Sequence, residues 1–454
     1  MNIQKLWTWI DQNGERFEAV SDAVWGFAET CFTEHQSSKL QREVMEQEGF
    51  RITTPVCGMD TAFIAEYGSG TPVIAFLGEN DALPAQSQCA DAAEPKPLTP
   101  GGNGHACGHN LLGTGSMEAA CAVKQYMEAA GISGTIRYYA CPAEEGGGGK
   151  VFLAKGGAFD GVDAAVTWHP GSTNEISNGG IACVTASFHF TGKASHASGH
   201  PWLGRSALDA VELMNTGVQY LREHMLPSSR IHYAITNAGG DAPNVVQHEA
   251  EVLYVVRCKE NSDLAELFER VCKVAEGAAL MTGTTFDGPE IVSAYANRIP
   301  CDPMDDLMIH YMREMLPISY TQAELDYAAQ FVPFGWQPEA ESPIDRGFSD
   351  RKDVEIMGST DLADVSWQIP LGECNTACCG IGTSGHTWMF TAQGKSSIAH
   401  KGMHSAAKVV AAAALELLTV PETLEKAKKD HQNRLAGKQY RSLMPDDKMP
   451  KGDQ

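Results

Sequence analysis

Hydrophobic positions in the first third of the chain follow two periods. Leu40, Val44 and Met45 recur at helical spacing before Gly49, the pattern of an amphipathic helix closed by a glycine stop. After Gly70 comes T-P-V-I-A-F-L-G, mostly apolar as in a strand buried on both faces, and Glu79-Asn80-Asp81 follow at once. Positions 85–104 are polar and rich in proline and glycine and read as a loop. Small and apolar residues return at helical spacing over 111–130, with Gly131 as terminator. Strands are expected at 136–141, followed by Pro142, two glutamates and four glycines, and at 163–168, running out at His169-Pro170. Short strands alternating with helices predict an α/β domain, a mostly parallel sheet with helices on both faces.

The rhythm then changes. Positions 181–192, 231–237, 249–257 and 284–295 read as strands, and two helices lie among them. The first, over 205–225, aligns Leu208, Val211, Met214, Val218, Leu221 and Met225; the second aligns Leu264, Leu267, Phe268, Val271 and Val274. The order β-α-β-β-α-β is that of a ferredoxin-like α+β module inserted into the first domain. The expected division is therefore 1–181 and 298–454 for the two parts of one domain and 182–297 for the insert. Helix resumes at 408–418, and a lysine-rich helix is expected from about 425.

The 454 residues carry 34 Lys+Arg against 57 Asp+Glu, a net charge of −23, which argues against a nucleic-acid partner. No apolar run approaches the ~20 residues of a membrane span, and the amino terminus lacks the basic, apolar and cleavage regions of a leader. Thirteen cysteines, an odd number without framework spacing, point to a reducing, cytoplasmic setting.

Three polar groups follow expected strands: Glu79-x-Asp81, Glu144-Glu145 and His169. In open α/β sheets ligands gather beyond the carboxyl ends of the strands. A fourth segment, G-G-N-G-H-A-C-G-H-N at 101–110, opens a helix. Cysteine, histidine and carboxylates converging there have the composition of a divalent-metal site, and the helix dipole favours a thiolate at Cys107. Each piece has an ordinary reading, a structural loop cysteine or a solvated Glu-Glu turn; the conjunction is what points to chemistry. Neighbouring side chains in an extended segment diverge, so one glutamate can hold metal while the other faces water, the arrangement of a metallohydrolase.

The motifs H-A-C-G-H-N-L-L-G-T-G, P-A-E-E-G-G-G-G-K, W-H-P-G, G-K-A-S-H-A-S, G-G-D-A-P-N-V-V and I-A-H-K-G-M occur in that order. Together they resemble the metal-dependent amidohydrolases and exopeptidases that include aminoacylases, carboxypeptidase G and auxin-conjugate hydrolases. The resemblance spans nearly the whole chain. It implies a dinuclear-metal α/β domain interrupted by a ferredoxin-like lid that dimerises, matching the division read from the pattern. It makes Cys107, His109, Glu145, His169 and His400 the metal ligands, with His404, one turn later, as the alternative to His400. Cys107 stands where many relatives have a bridging carboxylate. Glu144 becomes the general base, His196 an oxyanion donor from the partner subunit, and Asn244 a substrate contact. Asp361 and Asp364 match a substrate-side motif, a helix-capping turn being an equal reading.

Many relatives have a histidine where Glu79 stands, which leaves the second of one or two Zn²⁺ or Mn²⁺ ions an open question. C-N-T-A-C-C at 374–379 and His105 read as structural. The expected activity is hydrolysis of N-acyl-amino acids, including aminobenzoyl-glutamate, by a homodimer with or without a related second subunit. A dipeptidase or general aminoacylase is the nearest alternative. A thiol hydrolase built on Cys107 and a non-enzymatic metal-binding scaffold are the rival classes.

Overall fold

The computed structural model describes residues 2–176, 179–350 and 357–451. The chain opens with α1 (Ile3–Phe27) and α2 (His35–Gln47), then β1 (Arg51–Thr53), β2 (Phe63–Ser69) and β3 (Val73–Glu79). A long loop leads to α3 (His109–Ala130), β4 (Gly134–Cys141), α4 (Gly149–Lys155), β5 (Ala164–Gly171) and the short β6 (Glu175–Ile176). A second unit follows: β7 (Ala182–Thr191), α5 (Ala207–Leu221), β8 (Arg230–Asn237), β9 (Glu249–Cys258), α6 (Asn261–Thr282), β10 (Thr285–Phe286) and β11 (Glu290–Tyr295). The return consists of α7 (Asp302–Met315), α8 (Gln322–Ala329), β12 (Ser349–Asp350), α9 (Leu362–Ser366), β13 (Leu371–Ala377), α10 (Trp388–Gln393), α11 (Ser397–Thr419) and α12 (Pro421–Leu435).

The main sheet has the order β1-β2-β4-β3-β5-β13-β6-β12. Its centre is parallel, with β3 between β4 and β5 and β13 beside β5. Both faces are covered, so the central strands alternate between two cores rather than between core and water. Ile74 and Phe76 of β3, Ile136 and Tyr138 of β4 and Val166 of β5 pack with α1, α3 and α11. Ala75 and Leu77, Tyr139 and Ala165 pack on the other side with α4 and α9. Truncating a fully buried side chain such as Phe76 to Ala would cost about 3–5 kcal/mol. Helix α3 lies tightly on β3: a Cβ at Gly113 would fall 2.4 Å from the Glu79 carbonyl oxygen. The chain leaves β3 to form β4 on one side and then β5 on the other, so the crevice beyond Glu79 is a topological switch point.

The second sheet runs β11-β7-β9-β8, antiparallel throughout, which is the ferredoxin-like order. Helices α5 and α6 bury Val211, Met214, Leu267 and Val271 against Phe188, Val252 and Tyr254. The stretch 284–295, expected as one strand, is two. Both β10 and β11 pair with β7, and Asp287-Gly288-Pro289 breaks the run, Gly288 adopting φ +99°. The helix expected at 408–418 begins earlier, at Ser397, where the Ser396 side chain accepts a hydrogen bond from the Ala399 N–H. That earlier start places His400 and His404 inside α11. Among the described residues no single helix is long and apolar enough to cross a membrane.

Candidate active site

Four segments end at the carboxyl edge of the parallel strands. Glu79 is the last residue of β3, Glu144 and Glu145 follow β4, and His169 lies near the end of β5. Cys107 and His109 come from the loop before α3 and from its first residue. The turn carrying the two glutamates is tightly held. Ala143 has φ +58°, and its N–H donates to Glu34 Oε1 at 2.9 Å. The Glu145 N–H donates to Asp81 Oδ2 at 2.8 Å.

His109 is fully buried, with Nδ1 2.8 Å from Asp81 Oδ1 and Nε2 3.1 Å from Glu79 Oε2. Cys107 Sγ lies 3.5 Å from His169 Nε2, whose ring is held through Nδ1 by the Pro170 carbonyl at 2.8 Å. Glu145 Oε1 lies 3.1 Å from Nε2 of His386, a residue of the loop between β13 and α10. The His386 N–H donates to the Ala106 carbonyl at 2.8 Å, which fastens this loop beside Cys107.

Among the described residues, three sets of side chains bring their ligand atoms within 4.8 Å of one another: Cys107, His109 and His169; Cys107, Glu145 and His386; and Glu79, His109 and Glu144. Cys107 belongs to the first two. Glu79 Oε2, His109 Nε2 and Glu145 Oε1 are buried atoms that make no hydrogen bond. Buried polar atoms that face one another off the hydrogen-bonding angle are costly unless something binds them. A thiolate, imidazoles and carboxylates so disposed fit divalent metal.

The electrostatics follow from burial and mutual contact. Burial pushes the Cys107 thiol up, but His169 and His109 outweigh it and bring it to about 6. Burial works against the charged form of His169, yet Cys107 lifts it to about 9. Glu144 is raised well above the usual carboxylate range, by burial first and then by Glu79 and Asp361. Glu79 is held at about 2, the Lys150 ammonium overcoming its burial. Lys150 is fully buried, with Nζ 2.6 Å from Glu79 Oε1 and 2.5 Å from Asp361 Oδ1.

Cys107, His109, Glu145 and His169 are thus brought together, with Glu144 and Glu79 beside them. His400 is not among them. Its Nε2 lies 3.0 Å from Asp22 Oδ1 and its Nδ1 3.7 Å from Glu18 Oε2, because α11 turns this face toward α1. His404 is likewise held elsewhere, between Glu118 and Glu18. The histidine of the carboxyl-terminal part that does lie within 4.8 Å of Cys107 and Glu145 is His386. The signal for it was a histidine in a glycine-rich loop beyond a parallel strand, but that strand, Leu371–Ala377, runs into the cysteine-rich stretch 374–379, which read as structural.

Asp361 is fully buried, with Oδ1 2.5 Å from Lys150 Nζ and Oδ2 accepting the Lys150 N–H at 2.7 Å. Asp364 accepts hydrogen bonds from the Ala296 N–H and the Tyr440 hydroxyl. His105 binds the Val24 carbonyl at 3.0 Å and ties the loop to α1. His196 and Asn244 are exposed on adjoining segments of the second unit, where the Ala197 N–H donates to the Asn244 carbonyl. The cysteines are all free thiols.

A family model described as peptidase family M20/M25/M40 matches residues 75–314. The chain is 40% identical to one of the subunits of the p-aminobenzoyl-glutamate hydrolase of Escherichia coli, over 99% of both chains. It is 30% identical to a Mus musculus Xaa-Arg dipeptidase, over 95% of this chain and 92% of that one. Among solved structures, a Bacillus subtilis dinuclear metal binding peptidase of the M20 family shares the fold, with a TM-score of 0.57 at 20% identity over 89% of this chain and 98% of that one. The chain belongs to peptidase family M20/M25/M40, as a metal-dependent amidohydrolase whose crevice gathers Cys107, His109, Glu145, His169 and His386.

Proposed function

We propose that the protein hydrolyses the amide bond of N-acyl-amino acids, p-aminobenzoyl-glutamate foremost, using one or two divalent ions and Glu144 as general base. The observation that carries this reading is the pair of three-residue groups sharing Cys107, in which His109 Nε2 and Glu145 Oε1 are buried without a hydrogen bond. Cys107, His109 and His169 would hold one ion and Cys107, Glu145 and His386 the other, Zn²⁺ or Mn²⁺. Bound there, the ions would acidify a water toward neutral pKa and polarise the amide carbonyl.

Glu144 accepts a proton from the attacking water and delivers it to the departing nitrogen, so water and amide become carboxylic acid and amine, which settle as carboxylate and ammonium once the acid's proton passes to the amine. Its raised affinity for a proton suits that shuttle. The thiolate of Cys107 is a ligand here and not a nucleophile. His196 stabilises the tetrahedral oxyanion from the second subunit of a homodimer, and Asn244 contacts the substrate. Support for that assembly comes from β8, an edge strand that among the described residues pairs with β9 alone and leaves Tyr233 and Ile235 exposed. The Escherichia coli relative is named as one of two subunits of its enzyme, which supports a related second subunit as a further partner. A reducing cytoplasmic setting suits the free Cys107 thiol.

The test is a panel of p-aminobenzoyl-glutamate, other N-acyl-amino acids and Xaa-Arg dipeptides. It is run on chelator-stripped protein and again after adding Mn²⁺ or Zn²⁺. Metal-restored turnover of p-aminobenzoyl-glutamate is the expected result. Turnover that survives chelation but is abolished by thiol alkylation would replace this reading with a thiol hydrolase.

A further inference from the structure

The third three-residue group poses a chemical problem. Glu79, His109 and Glu144 offer ligand atoms within 4.8 Å of one another, so a divalent ion placed there would take Glu144 as a ligand. A carboxylate bound to a cation is a poor base. The fold places a cation of its own at this point. Lys150 has no exposed side-chain surface, its ammonium reaches both Glu79 and Asp361, and its charge acts on Glu144 as well.

Its placement is built into the backbone. Helix α4 starts so close to the preceding turn that a Cβ at Gly149 would fall 1.9 Å from the Pro142 carbonyl oxygen, and the Lys150 N–H is held by Asp361 Oδ2 at 2.7 Å. Burying an ammonium group is costly unless it is well paired, so a lysine locked between two carboxylates calls for a reason beyond packing.

We propose that Lys150 is a positioning residue whose ammonium serves as a built-in cation for Glu79 and Asp361, keeping a divalent ion off Glu79, His109 and Glu144 and leaving Glu144 free as the base. Glu79 is then not a replacement ligand for the missing histidine. One of its oxygens is neutralised by Lys150, and the other lines the space beside His109. Repulsion between the ammonium and a doubly charged ion is strong at this range in a buried site. With the pocket so occupied, ions are confined to the groups that contain Cys107.

The inference rests on the metal-dependent reading above, and its test separates the two. Full-length chelator-stripped protein is titrated with Mn²⁺, and bound ions per chain are counted beside kcat and KM for p-aminobenzoyl-glutamate. The variants are Lys150→Met and the charge-balanced Lys150→Met/Asp361→Asn, which removes one buried cation and one buried anion together. Both are expected to bind one further Mn²⁺ per chain than the unaltered protein. Their kcat should fall about 100-fold or more, with KM changed less than about threefold. Adding Glu144→Gln to the double variant should remove the extra ion. An unchanged ion count in the folded double variant overturns the proposal whatever happens to kcat, as does an extra ion that survives Glu144→Gln. An unaltered protein that binds no Mn²⁺ and needs none for turnover overturns instead the reading on which the proposal rests.

Discussion

Asp81 grips His109 from behind, Oδ1 lying 2.8 Å from Nδ1, while its other oxygen accepts the Glu145 N–H at 2.8 Å. One buried carboxylate therefore orients an imidazole on α3 and the glutamate turn after β4. With Nδ1 engaged, Nε2 is the nitrogen left to face the crevice. Replacing Asp81 with Ala should lower metal affinity about 10–100-fold, with a matching loss of activity at limiting metal. Calorimetric titration of chelator-stripped protein with Zn²⁺ checks this. Unchanged affinity would mean that the ring is fixed by its neighbours alone.

The two glutamates after β4 should separate by phenotype. Glu144→Gln keeps the size of the side chain and removes the base, so kcat should fall by about 10²–10⁴-fold while bound metal is unchanged. Glu145→Ala should instead lower bound metal, because its Oε1 is one of the unsatisfied buried atoms and faces His386. Elemental analysis of the purified variants, set beside their turnover, distinguishes the two outcomes.

The histidine pair His386 and His400 tests what local pattern can and cannot convey. Strand ends were legible: Glu79, the Glu144-Glu145 turn and His169 each follow an apolar run, and the parallel sheet turns those ends to one edge. The ferredoxin-like order was legible too, since alternation and helical spacing are local properties. His386 was not, because its position depends on the bond from its N–H to the carbonyl of Ala106, a contact between distant parts of the chain. Lys150 closes the P-A-E-E-G-G-G-G-K motif with nothing local to mark it as buried, and α4 comes so close to the turn before it that a Cβ at Gly149 would fall 1.9 Å from the Pro142 carbonyl oxygen. His386→Ala should reduce bound metal below that of the unaltered chain, whereas His400→Ala should leave it unchanged. The opposite result would return the ligand role to α11.

If His196 acts across a homodimer, two inactive chains should complement each other. His196→Ala and Glu144→Ala protomers, mixed after reversible dissociation, form hybrids in which one site has Glu144 from its own chain and His196 from its partner. Random reassociation then predicts recovery of about a quarter of the unmixed wild-type activity. Mixing that restores nothing, with hybrids demonstrated by differential tagging, would place His196 outside the reaction or within its own protomer's site.

The cluster around His404 should give the fold a pH dependence of its own. His404 lies 2.8 Å from Glu118 Oε2 and 3.1 Å from Glu18 Oε1, joining α11 to α3 and α1. Burial works against the charged ring, but Glu118 and Glu18 lift it to about 9, above its ordinary 6.5. A raised folded-state pKa means that its stabilisation is complete below pH 6.5 and fades as pH climbs through about 9. Glu118 acts in the same direction from lower pH, for burial raises its carboxyl despite His404, so the stability it costs sets in as pH rises past its ordinary 4.5. Thermal unfolding of the metal-free protein should therefore show Tm falling between pH 6.5 and 9. His404→Gln should lower stability by about 1–3 kcal/mol at pH 6 and flatten that slope. A variant that keeps the wild-type slope would assign the pH dependence to other groups.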